Sequence, residues 1–307
     1  MPELPEVETI VRSLQPLLVG RRIIGADFQA SRSGEPDHEH KLRNLIALPA
    51  VFRRRVSGAY IESIERYGKH IVFQLHHGNK KDRYFFLVHL GMTGRLTCEN
   101  TPEFQSKHTH LVLSLDEPGR WLHYTDIRRF GRLRVMDRLD KNLGKLGPDP
   151  LELSANEFVQ LLRPRRTMLK SLLLNQNFLR GIGNIYADES LFHAGIHPAA
   201  VAARLSGKRA LRLYHGIRET LFQAIELGGS SISDYVDGQG RSGYFQRVHQ
   251  VYQRTGKPCY RCGSRIQKIV LASRSTHFCP RCQRGAGKMN RRTDRIASAN
   301  PAVAERS

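Results

Sequence analysis

The chain has 307 residues, 40 % of them hydrophobic, and its 49 Lys and Arg against 28 Asp and Glu give a formal net charge of +21. This is enough chain and apolar content for two compact domains and a small appended module. It contains no run of ~18 apolar residues to cross a membrane. Glu3, Glu6 and Glu8 stand where an export signal needs positive charge and an apolar stretch, so secretion is not expected. The positive excess predicts a polyanionic partner, because each neutralised phosphate releases a counterion.

Val7, Ile10, Val11, Leu14 and Leu18 recur at helical spacing, with Pro5 at an early position that needs no amide donor, which predicts an opening helix. A polar stretch at 31–41 reads as a surface loop. Ile71, Phe73 and Leu75 alternate, as do Leu111, Leu113 and Leu115, and short apolar runs fall at 84–90, 121–124 and 133–136. Several short strands of this kind predict a sandwich. At Gly147-Pro148-Asp149-Pro150 the pattern changes, marking a linker. Helices are then expected at 155–162, stopped by Pro164, and at 168–174, 185–193 and 207–227, the last closed by Gly228-Gly229. A Gly/Ser-rich segment, 228–243, leads into a cysteine-containing module, and residues after Arg284 read as a disordered basic tail. No internal repeat is present.

Cys259-x2-Cys262 and Cys279-x2-Cys282 are separated by sixteen residues, the spacing of a four-cysteine zinc site. Four thiolates leave no open coordination position, so one structural Zn2+ is expected and no catalytic one; a redox role is the minor alternative. Gly263 suits the turn after the first pair, and 269–271 with 276–278 read as a hairpin with Arg274 at its tip. From 250 to 287 there is no acid at all, which favours phosphate contact. Cys98, the fifth cysteine, reads as a small buried hydrophobe.

Proline in second position permits removal of Met1 and exposes a secondary amine. An α-amino group titrates near ~8, against ~10.4 for lysine, so it is more often free to attack at neutral pH. An amine attacking a sugar carbon can form a Schiff base, splitting one hard displacement into two easier steps. From the residues alone, Glu3 and Glu6 are equally well explained as acids at a helix N-terminus.

The opening Pro2-Glu3-Leu4-Pro5-Glu6-Val7-Glu8-Thr9 resembles the N-terminus of the formamidopyrimidine-DNA glycosylase family (Fpg/MutM), and Leu4 separates it from the oxidised-pyrimidine (Nei) branch, which usually has Gly there. His89-Leu90-Gly91-Met92-Thr93-Gly94, Tyr124-Thr125-Asp126-Ile127-Arg128-Arg129-Phe130-Gly131, Gly181-Ile182-Gly183-Asn184-Ile185-Tyr186-Ala187-Asp188-Glu189, Gly243-Tyr244-Phe245 and the cysteine module also resemble family motifs, in family order. The resemblance implies an α+β fold. An N-terminal helix and β-sandwich form a catalytic domain (1–148), followed by a helix–two-turn–helix domain (149–228), a damaged-base recognition loop (229–249) and a four-cysteine zinc-finger β-hairpin (250–284), with a basic tail (285–307). It further implies that damaged double-stranded DNA binds in the cleft between the domains. The protein is expected to be a bacterial, cytoplasmic, nucleoid-associated monomer with no membrane partner.

By the same resemblance Pro2 is the nucleophile at C1′, Glu3 the acid assisting ring opening, Lys69 the lysine of β-elimination, and Arg274 the finger arginine of δ-elimination. Met92, Arg128 and Phe130 match the triad that fills the hole left by an extruded base, an extrusion that costs a few kcal/mol. Glu6, His108, Arg166, Lys170, Asn184 and Tyr186 match DNA-contacting positions. Arg166 departs from the lysine common in the family but keeps its charge, and the chain runs past the usual end near Arg284. Read without the resemblance, Met92 and Phe130 would be core residues, Lys69 an exposed strand lysine and Asn184 a helix cap. Two other functions stay open on the residues: the same chemistry on oxidised pyrimidines, and a non-catalytic zinc-ribbon DNA-binding protein.

Overall fold

The computed structural model describes residues 1–29, 45–46, 49–78, 82–139, 143–232 and 234–285. The loop expected at 31–41, and Arg291 and Arg292 of the tail, lie outside them. The chain divides into two compact units, Met1–Gly147 with Phe222–Val248, and Pro148–Leu221 with the described residues from His249 onward.

The first unit opens with helix α1 (Leu4–Leu18). Its five predicted apolar positions are all buried, each contributing roughly 1.5–3 kcal/mol of transfer free energy. Strand β1 (Ile23–Phe28) and helix α2 (Pro49–Val56) follow. Then come β2 (Tyr60–Tyr67), β3 (His70–His76), β4 (Arg83–His89), β5 (Gly94–Glu99), β6 (Thr109–Leu115), β7 (Trp121–Asp126) and β8 (Arg132–Met136). They form two antiparallel four-stranded sheets, β1-β6-β7-β5 and β2-β3-β4-β8. The alternating Ile71, Phe73 and Leu75 meet Leu111, Leu113 and Leu115 and the buried face of α1 in one core, as period-2 patterning requires. The other face of β3 and β4 is covered too, Val72 and Leu87 packing with Leu143.

The second unit carries α3 (Ala155–Leu162), α4 (Leu169–Leu174), α5 (Asn184–His193) and most of α6 (Gly207–Glu226). Helix α3 begins in a reciprocal capping box between Ser154 and Glu157. Helix α6 ends at Gly228 and Gly229, both with positive φ, the Gly229 amide bonding back to Ala224 O at 2.7 Å. Gln176 braces the segment between α4 and α5. Gln176 Nε2 donates to Ile182 O at 2.7 Å while its Oε1 accepts from the Gly181 amide at 2.9 Å. Strands β9 (Gln267–Leu271) and β10 (Arg274–Phe278) pair as a hairpin. Its two-residue turn is Ala272-Ser273, both at positive φ. Arg274 is therefore the first residue of β10, opposite Leu271, and not the tip itself.

Candidate functional site

The N-terminus of the first unit is anchored where most termini fray. Glu3 caps α1 and its amide donates to Glu6 Oε2 at 2.8 Å. The other oxygen of Glu6 accepts from the Ser230 amide at 2.8 Å, and Tyr235 Oη donates to the Glu6 carbonyl at 3.3 Å. Burial, and then the Glu6 charge, raise the Tyr235 phenol above its ordinary range. Pro2 and Glu3 are buried in this frame. Glu6 is 2 % exposed and holds two backbone amides. It fastens the 228–243 segment to the start of the chain.

Lys69 lies in the two-residue turn between β2 and β3, with Gly68 at φ 61° before it, the glycine-first pattern of a tight hairpin. Next to it, the His70 and His89 rings meet at a 48° tilt with centroids 4.9 Å apart. Burial, with His70, Lys69 and Arg132 nearby, holds His89 down to about 4. His70, His89, Phe130, Arg132 and Arg134 are among the residues lining a cavity of about 360 Å³.

Met92 comes together with Arg128 and Phe130, although it lies 36 residues before Arg128. Arg128 Nη1 lies 3.3 Å from Met92 Sδ and its guanidinium sits 4.6 Å above the Phe130 ring. Met92 is 42 % and Phe130 53 % exposed, so neither is a core residue. Asp126, fully buried, fixes both loops: its carboxylate accepts from Thr93 Oγ1 at 2.6 Å, Arg128 N at 3.2 Å and Gly131 N at 2.8 Å. Gly91, at φ 61°, lets the loops touch, since a Cβ there would lie 2.5 Å from the Phe130 backbone carbonyl carbon. Asp126 falls inside the 124–131 motif, but residue type and spacing alone do not show that it holds the two loops. His108, half-buried, is in the turn leading into β6; its carbonyl accepts from the Asp126 amide at 2.9 Å.

In the second unit Arg166 is exposed ahead of α4. Lys170 and Tyr186 are fully buried. Lys170 Nζ is 2.6 Å from Asp188 Oδ1 and donates to Asn184 O at 2.9 Å. Its ammonium thus ties two points of α5 together. Asn184 is the first residue of α5, whose N-cap is Gly183, and its Nδ2 donates to Ser275 O at 3.0 Å.

The four cysteine Sγ atoms lie within 4.8 Å of one another. Cys259 and Cys282 are 3.9 Å apart and Cys262 and Cys279 3.4 Å. Four ligands at a Zn–S distance of ~2.3 Å stand ~3.8 Å apart, so the cluster fits a tetrahedral ion. Hydrogen bonds from the Ser264 side chain and backbone hold Cys262 down to about 6, while burial raises Cys279 and Cys282. Thiols this close ionise together only around a cation. Gly263, at φ 74°, closes the first knuckle, its amide returning to Cys259 O.

Three family models match the chain: the formamidopyrimidine-DNA glycosylase N-terminal domain over residues 1–133, the formamidopyrimidine-DNA glycosylase H2TH domain over 146–236, and the zinc finger found in FPG and IleRS over 256–285. The formamidopyrimidine-DNA glycosylase of Solibacter usitatus is 48 % identical over 287 residues, covering 92 % of this chain and 100 % of that protein. That of Thermomicrobium roseum is 43 % identical over 300 residues, covering 92 % and 99 %. Among solved structures, a Lactococcus lactis FPG variant bound to Fapy-dG-containing DNA superposes with TM-score 0.79 at 34 % identity, covering 92 % of this chain and 100 % of that one. Thermus thermophilus MutM (FPG) gives 0.76 at 38 %, covering 93 % and 100 %. The α+β architecture of sandwich, H2TH helices and cysteine-ligated hairpin is that of these relatives, and the chain belongs to the formamidopyrimidine-DNA glycosylase family.

Proposed function

We propose that this protein is a DNA glycosylase that removes oxidised purines, 8-oxoguanine and formamidopyrimidines, from duplex DNA and then nicks the abasic site. The relatives' names, and the lesion-containing DNA in the solved neighbours, support the substrate class. The observation that carries the chemistry is the anchored N-terminus, where Glu6 fixes Glu3 and the 230 segment around Pro2. A nucleophile must be held in place to exploit proximity.

Removal of Met1 frees the Pro2 nitrogen. Its lone pair forms a bond to C1′ as the glycosidic bond breaks, and the departing base takes the electron pair of the glycosidic bond and the proton that the alkylated Pro2 nitrogen gives up. Glu3 protonates the ring oxygen as the sugar opens, leaving an iminium between Pro2 and C1′. The iminium makes the C2′ protons acidic, so the 3′ phosphate leaves, followed by the 5′ phosphate; Lys69 and Arg274 assist these two steps. Met92 and Phe130 act as apolar wedges where the lesion has left the stack, and Arg128 pairs with the orphaned base. One structural zinc, held by Cys259, Cys262, Cys279 and Cys282, supplies rigidity to the hairpin that carries Arg274 and takes no part in the reaction.

Incubation with a duplex carrying 8-oxoguanine opposite cytosine, in the presence of borohydride, tests the reading. A covalent adduct is expected, absent in Pro2→Gly. Adducts formed only with oxidised pyrimidines would move the substrate class, and tight binding with neither adduct nor nick would leave a binding protein.

A further inference from the structure

Two consecutive acids of α5, Asp188 and Glu189, have no part in the chemistry above, yet they are 1 % and 4 % exposed. Asp188 has one oxygen on the Lys170 ammonium at 2.6 Å. Its other oxygen accepts from the backbone amide of His277 at 2.8 Å and faces His277 Nδ1 at 3.0 Å. Glu189 accepts three successive backbone amides, Gln250 at 2.8 Å, Val251 at 2.9 Å and Tyr252 at 2.8 Å. One helix thus grips both the segment entering the finger and the strand inside it.

Lys170 also holds the Asn184 carbonyl, and Asn184 in turn holds Ser275 O. Strand β10 is therefore tied at residues 275 and 277, immediately after Arg274. Cys279 and Cys282 fix only the far end of this strand. At the near end, Ala272 and Ser273 occupy left-handed backbone with φ 50° and 56°, which non-glycine residues keep only where the flanking structure holds them.

We propose that Asp188, neutralised by Lys170, is a positioning residue that sets Arg274 for the second elimination, independently of the metal. This rests on the reading of Arg274 given above. The charge pair is what makes the grip directional: a carboxylate can serve Lys170 and His277 at once, whereas an amide has a single acceptor oxygen.

The test uses full-length protein on duplex DNA with an abasic site, comparing wild type, Asp188→Asn, Arg274→Ala and their combination. Asp188→Asn should keep its zinc, form the borohydride adduct within about threefold of wild type, and exchange the His277 amide faster. The fraction of β,δ-product should fall about tenfold. Adding Arg274→Ala should cost nothing further, because residues acting as a unit are non-additive. An unchanged product ratio, or losses that multiply in the combined variant, would overturn the proposal. If Asp188→Asn does not fold, Asp188→Ser leaves one small oxygen for the Lys170 ammonium and withdraws the acceptor from His277. The same product shift is expected there, and a wild-type ratio refutes the role. Wild type forming no adduct would remove the Pro2 chemistry and this inference with it, whereas an adduct with an unaltered ratio removes this inference alone.

Discussion

The two units use their polar and aromatic residues in opposite ways. In the first, Met92 and Phe130 are turned out at 42 % and 53 % exposure while one buried carboxylate, Asp126, holds their loops from behind. In the second, Lys170, Asp188 and Glu189 are turned in, and what they hold is backbone. Residue type alone points the wrong way in both: apolar side chains lie on the surface and a lysine lies in the core. An exposed wedge is cheap to alter for stability and costly for binding, and a buried ion pair is the reverse.

Four experiments press on this contrast. Removing the zinc should have the largest effect, since a structural site contributes roughly 10–16 kcal/mol to its own module's folding. Chelation is expected to melt the hairpin and abolish strand cleavage while the sandwich keeps its circular-dichroism signal; loss of both together would mean the units are not separable. Lys170→Ala comes next. It strands the Asp188 carboxylate and should cost about 3–5 kcal/mol in denaturant unfolding, whereas Lys170→Met/Asp188→Leu should cost only about 1–2 kcal/mol, for the buried His277 amide left without its acceptor. Equal losses in the two variants would show that packing, not charge, is what matters there.

The pH dependence is smaller per pH unit. Burial first, then neighbouring cations, hold His89 to about 4, and burial with His277 nearby holds His249 to about 4. Both are below the ordinary ~6.5, so the unfolded chain binds more protons between these values, and stability rises with pH across that window. Each group should contribute up to ~1.4 kcal/mol per pH unit, lost as pH falls from 6.5 to 4. His89→Gln should flatten the slope seen by probes in the first unit, and a slope that survives in both units would assign it to carboxylates. Least in stability is Phe130→Ala, expected to change unfolding by under ~0.5 kcal/mol. Affinity for lesion DNA should nevertheless fall about tenfold, the value of one lost stacking contact. A destabilised variant with unaltered affinity would return Phe130 to the core.

Legibility in the sequence followed how locally each feature is encoded. Helix α3 occupies the predicted 155–162, because Ser154, Glu157 and Pro164 signal its ends within one turn. Strands β3, β4, β6, β7 and β8 were visible through alternation or compact apolar runs. Strands β1 and β2 were not: each contains a bulge, between Ile23 and Gly25 and between Ile61 and Ser63, which moves the next buried residue out of step. β5 has a single fully buried apolar residue, Leu96, and offers no alternation to read. Asn184 was expected as a possible cap, but Gly183 takes that place and frees the asparagine for Ser275.

What the chain's order of residues determined unaided is the chemistry it can carry. A proline second from the start, four thiols at zinc spacing and a positive excess of 21 are properties of composition and short-range spacing. Which charges face water was settled only by folding. Glu6, Lys170 and Asp188 are buried because their partners lie 224, 18 and 89 residues away, at Ser230, Asp188 and His277. Burying a charge is favourable only where such a partner is delivered, and delivery depends on the packing of whole helices and sheets.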